Sequence, residues 1–132
     1  MSKKLIGSAP LFHVTSLKKS LDFYCDVLGF ERPTLWGEPP KFALPPRDGM
    51  VIMLDQHTEA PLHNKGNWDA YFWVNDAHAL YAEFKAKGAI FEYGVQFKKW
   101  YGNLEFAIKD PDGYFLAFGQ TLTEEELASI TL

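Results

Sequence analysis

A weak internal repeat restricts the fold of this chain more than any other feature. RDGMVIMLDQ (residues 47–56) and PDGYFLAFGQ (residues 111–120) share a turn Asp-Gly, a hydrophobic run and a closing Gln, displaced by 64 residues. Upstream of each, an apolar strand runs into a helix: APLFHVTSLKKSLDFYCDVLG in the first half, DAYFWVNDAHALYAEFKAKG in the second. Matching Val14 to Val74 places Ser16 on Asp76, and both residue types cap helix N-termini because their side-chain oxygens accept from first-turn amides. Leu17, Leu21, Tyr24 and Leu28 recur at the spacing of one helical face, and Ala77, Leu80, Tyr81 and Phe84 do the same in the second half. Gly29 and Gly88 close the two helices. The strand-like runs FERPTLW, KFALP and MVIML follow the first, and AIFEYGV, NLEFAIK and YFLAF follow the second. Each half therefore reads β-α-β-β-β.

Two copies of such a unit make a two-module domain rather than a solenoid, which needs at least about three repeats. The expected organisation is one domain over residues 1–132. Module 1 covers about 8–55, a polar Pro- and Gly-containing linker 56–67, and module 2 about 68–120. A short C-terminal helix is expected over 123–130, where Thr123 and Glu126 make a capping-box pair. The net charge of −4 comes with no basic stripe, which argues against a nucleic-acid partner and tolerates a cationic small molecule. No apolar run reaches the roughly 20 residues that cross a bilayer, so no membrane partner is expected. Cys25 is the single cysteine; it permits no internal disulfide, and a reducing, cytoplasmic setting is expected.

SLKKSLDFYCDVLGF (residues 16–30), FWVNDAHALYAEFKAKGA (residues 72–89) and YGNLEFAIKDPDGYFLAF (residues 101–118) together resemble the vicinal oxygen chelate superfamily. That superfamily holds glyoxalase I, fosfomycin-resistance enzymes, extradiol dioxygenases and bleomycin-resistance proteins. The resemblance implies an α+β fold, two βαβββ modules forming an open barrel-like crevice, in a homodimer. Members that use a metal draw ligands from the first and last strand of each module. Carried over position by position, those places hold Ala9, Met53, Asp69 and Ala117. Alanine has no donor atom, a thioether is a soft ligand, and one carboxylate cannot hold a catalytic divalent ion. No metal, cofactor or catalytic residue is therefore expected, and within the superfamily the chain most resembles the bleomycin-resistance type. Pro10 matches a proline that accompanies exchange of the N-terminal arm between subunits in that type.

The expected ligand-binding residues are His13, Trp36, Met53, Asp69, Tyr71, Trp73, Trp100, Tyr101, Glu105 and Ala117. Alternation turns Ala9, Leu11 and His13 toward the crevice and Phe12 and Val14 toward the helix. His13 reads as a strand-end histidine in polar contact, since no partner ligands are visible beside it. His57, His63 and His78 read as surface residues. Asp69 either anchors a cationic group or stands exposed at a strand start. Tyr71 and Trp73 share its side, while Trp36, Trp100 and Tyr101 sit in or near connections, an aromatic wall of the kind small-molecule pockets show. Glu105 and Glu38 could reach the cavity, although neither has a visible partner for acid–base work. Cys25 reads as a packing thiol.

Three functions are open at this point. The first is a metal-free, dimeric protein that binds or sequesters a small amphipathic or aromatic molecule, cationic or not. The second is a metal-dependent glyoxalase-like lyase or isomerase, or a dioxygenase, with an irregular ligand set on His13 and Asp69. The third is a noncatalytic structural dimer.

Overall fold

The computed structural model describes residues 3–57, 59, 61 and 63–130. The chain divides into two compact units, Met1–Leu62 and His63–Leu132.

In the first unit, β1 (Leu11–Val14) leads into α1 (Leu17–Leu21). The Ser16 side chain accepts from the Lys19 amide at 3.2 Å and caps the helix. Beyond Leu21 the helix widens into a π-helical segment over Asp22–Val27, and the Leu28 amide donates to the Phe23 carbonyl five residues back. The sequence spacing predicts one uniform α-helix here. The wider turn keeps the expected face nonetheless: Leu17, Leu21, Tyr24 and Leu28 are all buried. Phe12 and Val14 are buried from the strand side, and Phe12 stacks on Tyr24 at 6.4 Å.

Short strands follow: β2 (Leu35–Trp36), β3 (Phe42–Ala43), the hairpin of β4 (Pro46–Arg47) and β5 (Met50–Val51), and β6 (Met53–Gln56). The sheet order is β1-β6-β3-β2, with β1 and β6 parallel and His13 opposite Asp55.

The second unit repeats the plan with longer strands. β7 (Ala70–Trp73), α2 (Ala77–Ala86), β8 (Phe91–Lys98), β9 (Asn103–Lys109) and β10 (Phe115–Thr121) give a sheet of order β7-β10-β9-β8. Asp76 caps α2 by accepting from the Ala79 amide at 3.0 Å. One face of this sheet carries Phe72, Phe106 and Phe118, stacked on one another at 5.1 Å, with Phe84 of α2 against them at 5.3–5.9 Å. Phe84 is 1% exposed; its burial contributes about 1.5–3 kcal/mol. β9 turns into β10 through Asp110, whose carboxylate accepts from the Asp112 and Tyr114 amides at 2.9 Å, while Gly113 supplies the positive φ of +86°.

The closing Gln of each repeat has one job, done twice. Gln56 accepts from the Leu17 amide at 2.8 Å, and Gln120 accepts from the Ala77 amide at 2.9 Å. Each satisfies an orphan donor at the start of its module's helix from the end of its module's last strand. After β10, α3 (Glu124–Ser129) begins with the expected reciprocal pair of Thr123 and Glu126. Among the described residues neither four-stranded sheet closes into a barrel, and no helix is long and apolar enough to cross a membrane.

Candidate functional site

Side chains alternate across a strand, so the second unit's sheet has a face opposite its phenylalanine core. On that face β10 contributes Phe115, Ala117 and Gly119, and β9 contributes Asn103, Glu105 and Ala107. Registers put Tyr71 opposite Ala117, Trp73 opposite Gly119, and Tyr93 opposite Ala107. The two central strands thus carry small residues where the flanking strands carry rings. The Tyr71 ring lies directly over Gly119: a Cβ there would land on its hydroxyl and 2.6 Å from Cζ. Tyr71 and Tyr93 pack on the buried Ala107, Phe115 and Ala117.

Glu105 sits at the centre of this face with no exposed surface. One carboxylate oxygen accepts from the Tyr101 hydroxyl at 2.7 Å, and the other accepts from the Tyr93 hydroxyl. Tyr71 is held between Glu105 and the Asn103 amide, which donates to its hydroxyl at 2.8 Å. The Trp68 indole donates to the Tyr93 hydroxyl at 3.3 Å. Burial pushes the Tyr71 phenol up to about 12; the Asn103 hydrogen bond opposes this, and the hydrogen bond and charge of Glu105 add to it. Burial and then Glu105 raise Tyr93 and Tyr101 as well. At neutral pH all three phenols keep their protons, and Tyr93 and Tyr101 donate theirs to the one acid.

Around this core lies an exposed aromatic rim. Trp68 meets Tyr71 at 4.6 Å and Tyr101 at 6.4 Å, and Trp73 meets Tyr71 at 5.0 Å. Trp73 is 74% exposed. The Lys98 ammonium lies 4.6 Å from the centre of the Tyr93 ring, a cation on an aromatic face within the cluster.

Of the residues expected from the sequence, Tyr71, Trp73, Tyr101, Glu105 and Ala117 come together here. Trp100 lies beside them, 91% exposed and 6.1 Å from Tyr101. Asp69 does not present a free carboxylate: its oxygens accept from the backbone amides of Asn64 at 2.6 Å and Phe115 at 2.8 Å. Trp36 and Met53 belong to the first unit, where half-exposed Trp36 packs on Phe42 at 6.0 Å and Met53 pairs with Leu11. His13, also in the first unit, does have neighbours of the ligand type. Its Nδ1 is 3.8 Å from Asp55, its ring is 4.3 Å from His57, and His57 Nε2 is 2.9 Å from the same Asp55 oxygen. The expectation of a His13 without such partners is corrected by the parallel pairing of β1 with β6, a long-range register that local sequence does not display.

Sequence reading missed Trp68, Tyr93 and Asn103. Asn103 was accessible through alternation from Glu105. Tyr93 was not, because register shifts between Phe91 and Gln96 re-aim its side chain.

The four positions that family members use for a metal do not fit one in this chain. Ala9 and Ala117 lack donors, Ala117 is fully buried under tyrosine rings, and both Asp69 oxygens hold backbone amides. A divalent catalytic ion needs about three N or O side-chain ligands.

A sequence profile described as the Glyoxalase/Bleomycin resistance protein/Dioxygenase superfamily matches residues 10–118. By sequence, the chain matches no curated protein. Among solved structures, TioX from Micromonospora sp. ML1 is similar with a TM-score of 0.73 at 19% identity, covering 89% of this chain and 99% of that one. The bleomycin-binding protein of Streptomyces verticillus, solved with copper(II)-bleomycin, gives 0.66 at 22% identity, covering 93% and 100%. Lactoylglutathione lyase from Agrobacterium tumefaciens gives 0.67 at 19% identity, covering 90% and 95%. At these identities the likeness concerns the fold.

Proposed function

This chain belongs to the Glyoxalase/Bleomycin resistance protein/Dioxygenase superfamily, and we propose that within it the protein binds and shelters a small aromatic or amphipathic molecule bearing a positive charge. It does so without turnover and without a metal at the superfamily's usual positions, as a cytoplasmic homodimer. The observation that carries this reading is Glu105: an acid with no exposed surface, held by tyrosine hydroxyls beneath an exposed rim of Trp68, Trp73 and Tyr101. Ring faces attract cations, and the buried acid beneath them adds to the field. The donor-poor Ala9, Met53, Asp69 and Ala117 favour binding over metal-assisted catalysis. The similar fold of a bleomycin-binding protein is consistent with this choice.

The test is tryptophan fluorescence and thermal shift with three probes: a metal-free bleomycin, benzyltrimethylammonium, and an uncharged benzyl analogue of the same shape. The cationic probes should raise the melting temperature and the neutral analogue should not. A bound probe at about 100 times its Kd adds about 2.7 kcal/mol to stability. Trp73→Ala should weaken cation binding about two- to fivefold, the worth of one exposed cation–π contact. Equal binding of the charged and neutral probes removes the electrostatic argument, and unchanged affinity in Trp73→Ala removes this face as the site.

A further inference from the structure

The geometry points to a second site, in the first unit, that binds a borderline divalent cation of the Zn²⁺, Co²⁺ or Ni²⁺ class through His13, Asp55 and His57. One ligand atom from each lies within 4.8 Å of the other two. The inference is independent of the ligand-binding reading above, and none of the three residues occupies a position at which the superfamily resemblance places a metal.

The backbone holds all three residues in place. His13 and Asp55 are register partners in adjacent parallel strands. Asp55 and His57 are two residues apart, and the His57 amide donates to the Val14 carbonyl at 2.9 Å, which carries the pairing one step past the strand end. Side chains two apart on an extended segment share a face, so both rings and the carboxylate come to one place.

The distances suit a metal better than a three-way hydrogen-bonded cluster. His57 Nε2 reaches Asp55 Oδ2 at 2.9 Å, whereas His13 Nδ1 is 3.8 Å from that same oxygen, beyond hydrogen-bonding range. A tetrahedral ion with bonds of about 2.0–2.2 Å separates its donors by roughly 3.4 Å, a value between those two. The His57 side chain is 45% exposed, Asp55 33% and His13 29%. The His57 ring therefore has room to turn toward the other two, while the His13 Nδ1 atom is itself buried beside them. Two imidazoles and one carboxylate are the donor set that prefers this class of ion over Mg²⁺ or Ca²⁺, which take oxygen ligands. With three protein ligands, a fourth position stays open to water.

The experiment uses the untagged 132-residue chain, titrated with Zn²⁺ against a chromophoric zinc chelator. Co²⁺ serves as a parallel probe, since its visible absorption strengthens on four-coordination. One equivalent of Zn²⁺ should bind. His13→Ala, His57→Ala and Asp55→Asn should each lower the affinity at least about tenfold, the lower bound for disturbing a metal's surroundings. Asp55→Asn keeps the size of the side chain, so its folding is checked by circular dichroism alongside. His63→Ala and His78→Ala, both in the second unit, should bind as the parent does. Absence of stoichiometric binding, or binding that survives His13→Ala and Asp55→Asn, would overturn the assignment; so would loss of binding in His63→Ala or His78→Ala alone.

Discussion

Gly119 should be the most informative single position in the second unit. It has no positive φ to demand glycine; what demands it is the Tyr71 ring lying on the strand. An added Cβ falls onto the Tyr71 hydroxyl, 2.6 Å from Cζ and 3.1 Å from Cε1, where carbon atoms rest comfortably at about 3.5–4.0 Å. In Gly119→Ala the ring must swing off. It then gives up the Asn103 hydrogen bond and leaves that amide, 5% exposed, without its acceptor. Overpacking of this kind costs about 1–3 kcal/mol; the swing that relieves it exchanges that cost for an unmade buried hydrogen bond in the same range rather than adding to it. Replacing a strand glycine by alanine returns about 0.5–1 kcal/mol of backbone entropy. The net expectation is a loss of about 1–2 kcal/mol, or roughly 3–10 °C in melting temperature for a chain of this size. The decisive measurement is a double-mutant cycle by urea denaturation. With Tyr71→Ala already in place the three atoms nearest that Cβ are gone, and Gly119→Ala should become neutral or mildly stabilising, a coupling of about 1–3 kcal/mol. An equal cost of Gly119→Ala in both backgrounds would refute the reasoning, because it would put the strain in the strand and not under the ring.

Glu105→Gln should lower the ionisation points of Tyr93 and Tyr101, since Glu105 is among the groups that raise them; phenolate absorbance during alkaline titration reads this directly. Glu105→Leu should destabilise by about 2–4 kcal/mol in urea, because it strands the two hydroxyls that donate to the acid. The raised Tyr71 phenol also sets a pH window: an unfolded tyrosine ionises near 10, while the folded one holds its proton to about 12. Its contribution to stability is therefore complete below pH 10 and is lost as pH rises through about 12. Melting temperatures measured across pH 9–12 should fall more steeply for the parent than for Tyr71→Phe. Asp69→Asn should cost about 1–3 kcal/mol, because an amide offers one acceptor oxygen where two backbone N–H groups now bind a carboxylate; a denaturant midpoint equal to the parent's would contradict that role.

The parts of this fold that sequence revealed are those set by neighbours in the chain. Leu17, Leu21, Tyr24 and Leu28 announce a buried helical face, and they are buried although the helix widens at Asp22. That widening depends on which carbonyl the Leu28 amide selects, and no residue pattern encodes the choice. Alternation from Asp69 brought Tyr71 and Trp73 into view, and Glu105 and Tyr101 were visible as an acid and a ring near a strand end. Tyr93 joined the cluster only through irregularities in β8, and Trp68 through the path of the chain before β7. The meeting of His13 with Asp55 and His57 depends on a parallel register between segments about 40 residues apart, which hydrophobic pattern constrains to a face without choosing the partner.

The alanines facing each other across β9 and β10 have a bearing on how this scaffold could change its trade. Ala117 stands where a relative's carboxylate would reach for an ion, yet here the space above it is already taken by Tyr71 and Tyr93. A single Ala117→Glu exchange would not create a metal site; it would wedge a second acid into a filled space close to Glu105. The rings would have to shrink before the acid could arrive, and each intermediate along that route would surrender the hydroxyls that now restrain Glu105. Two small methyl groups thus act as a ratchet, keeping a metal at this one position several coordinated changes away.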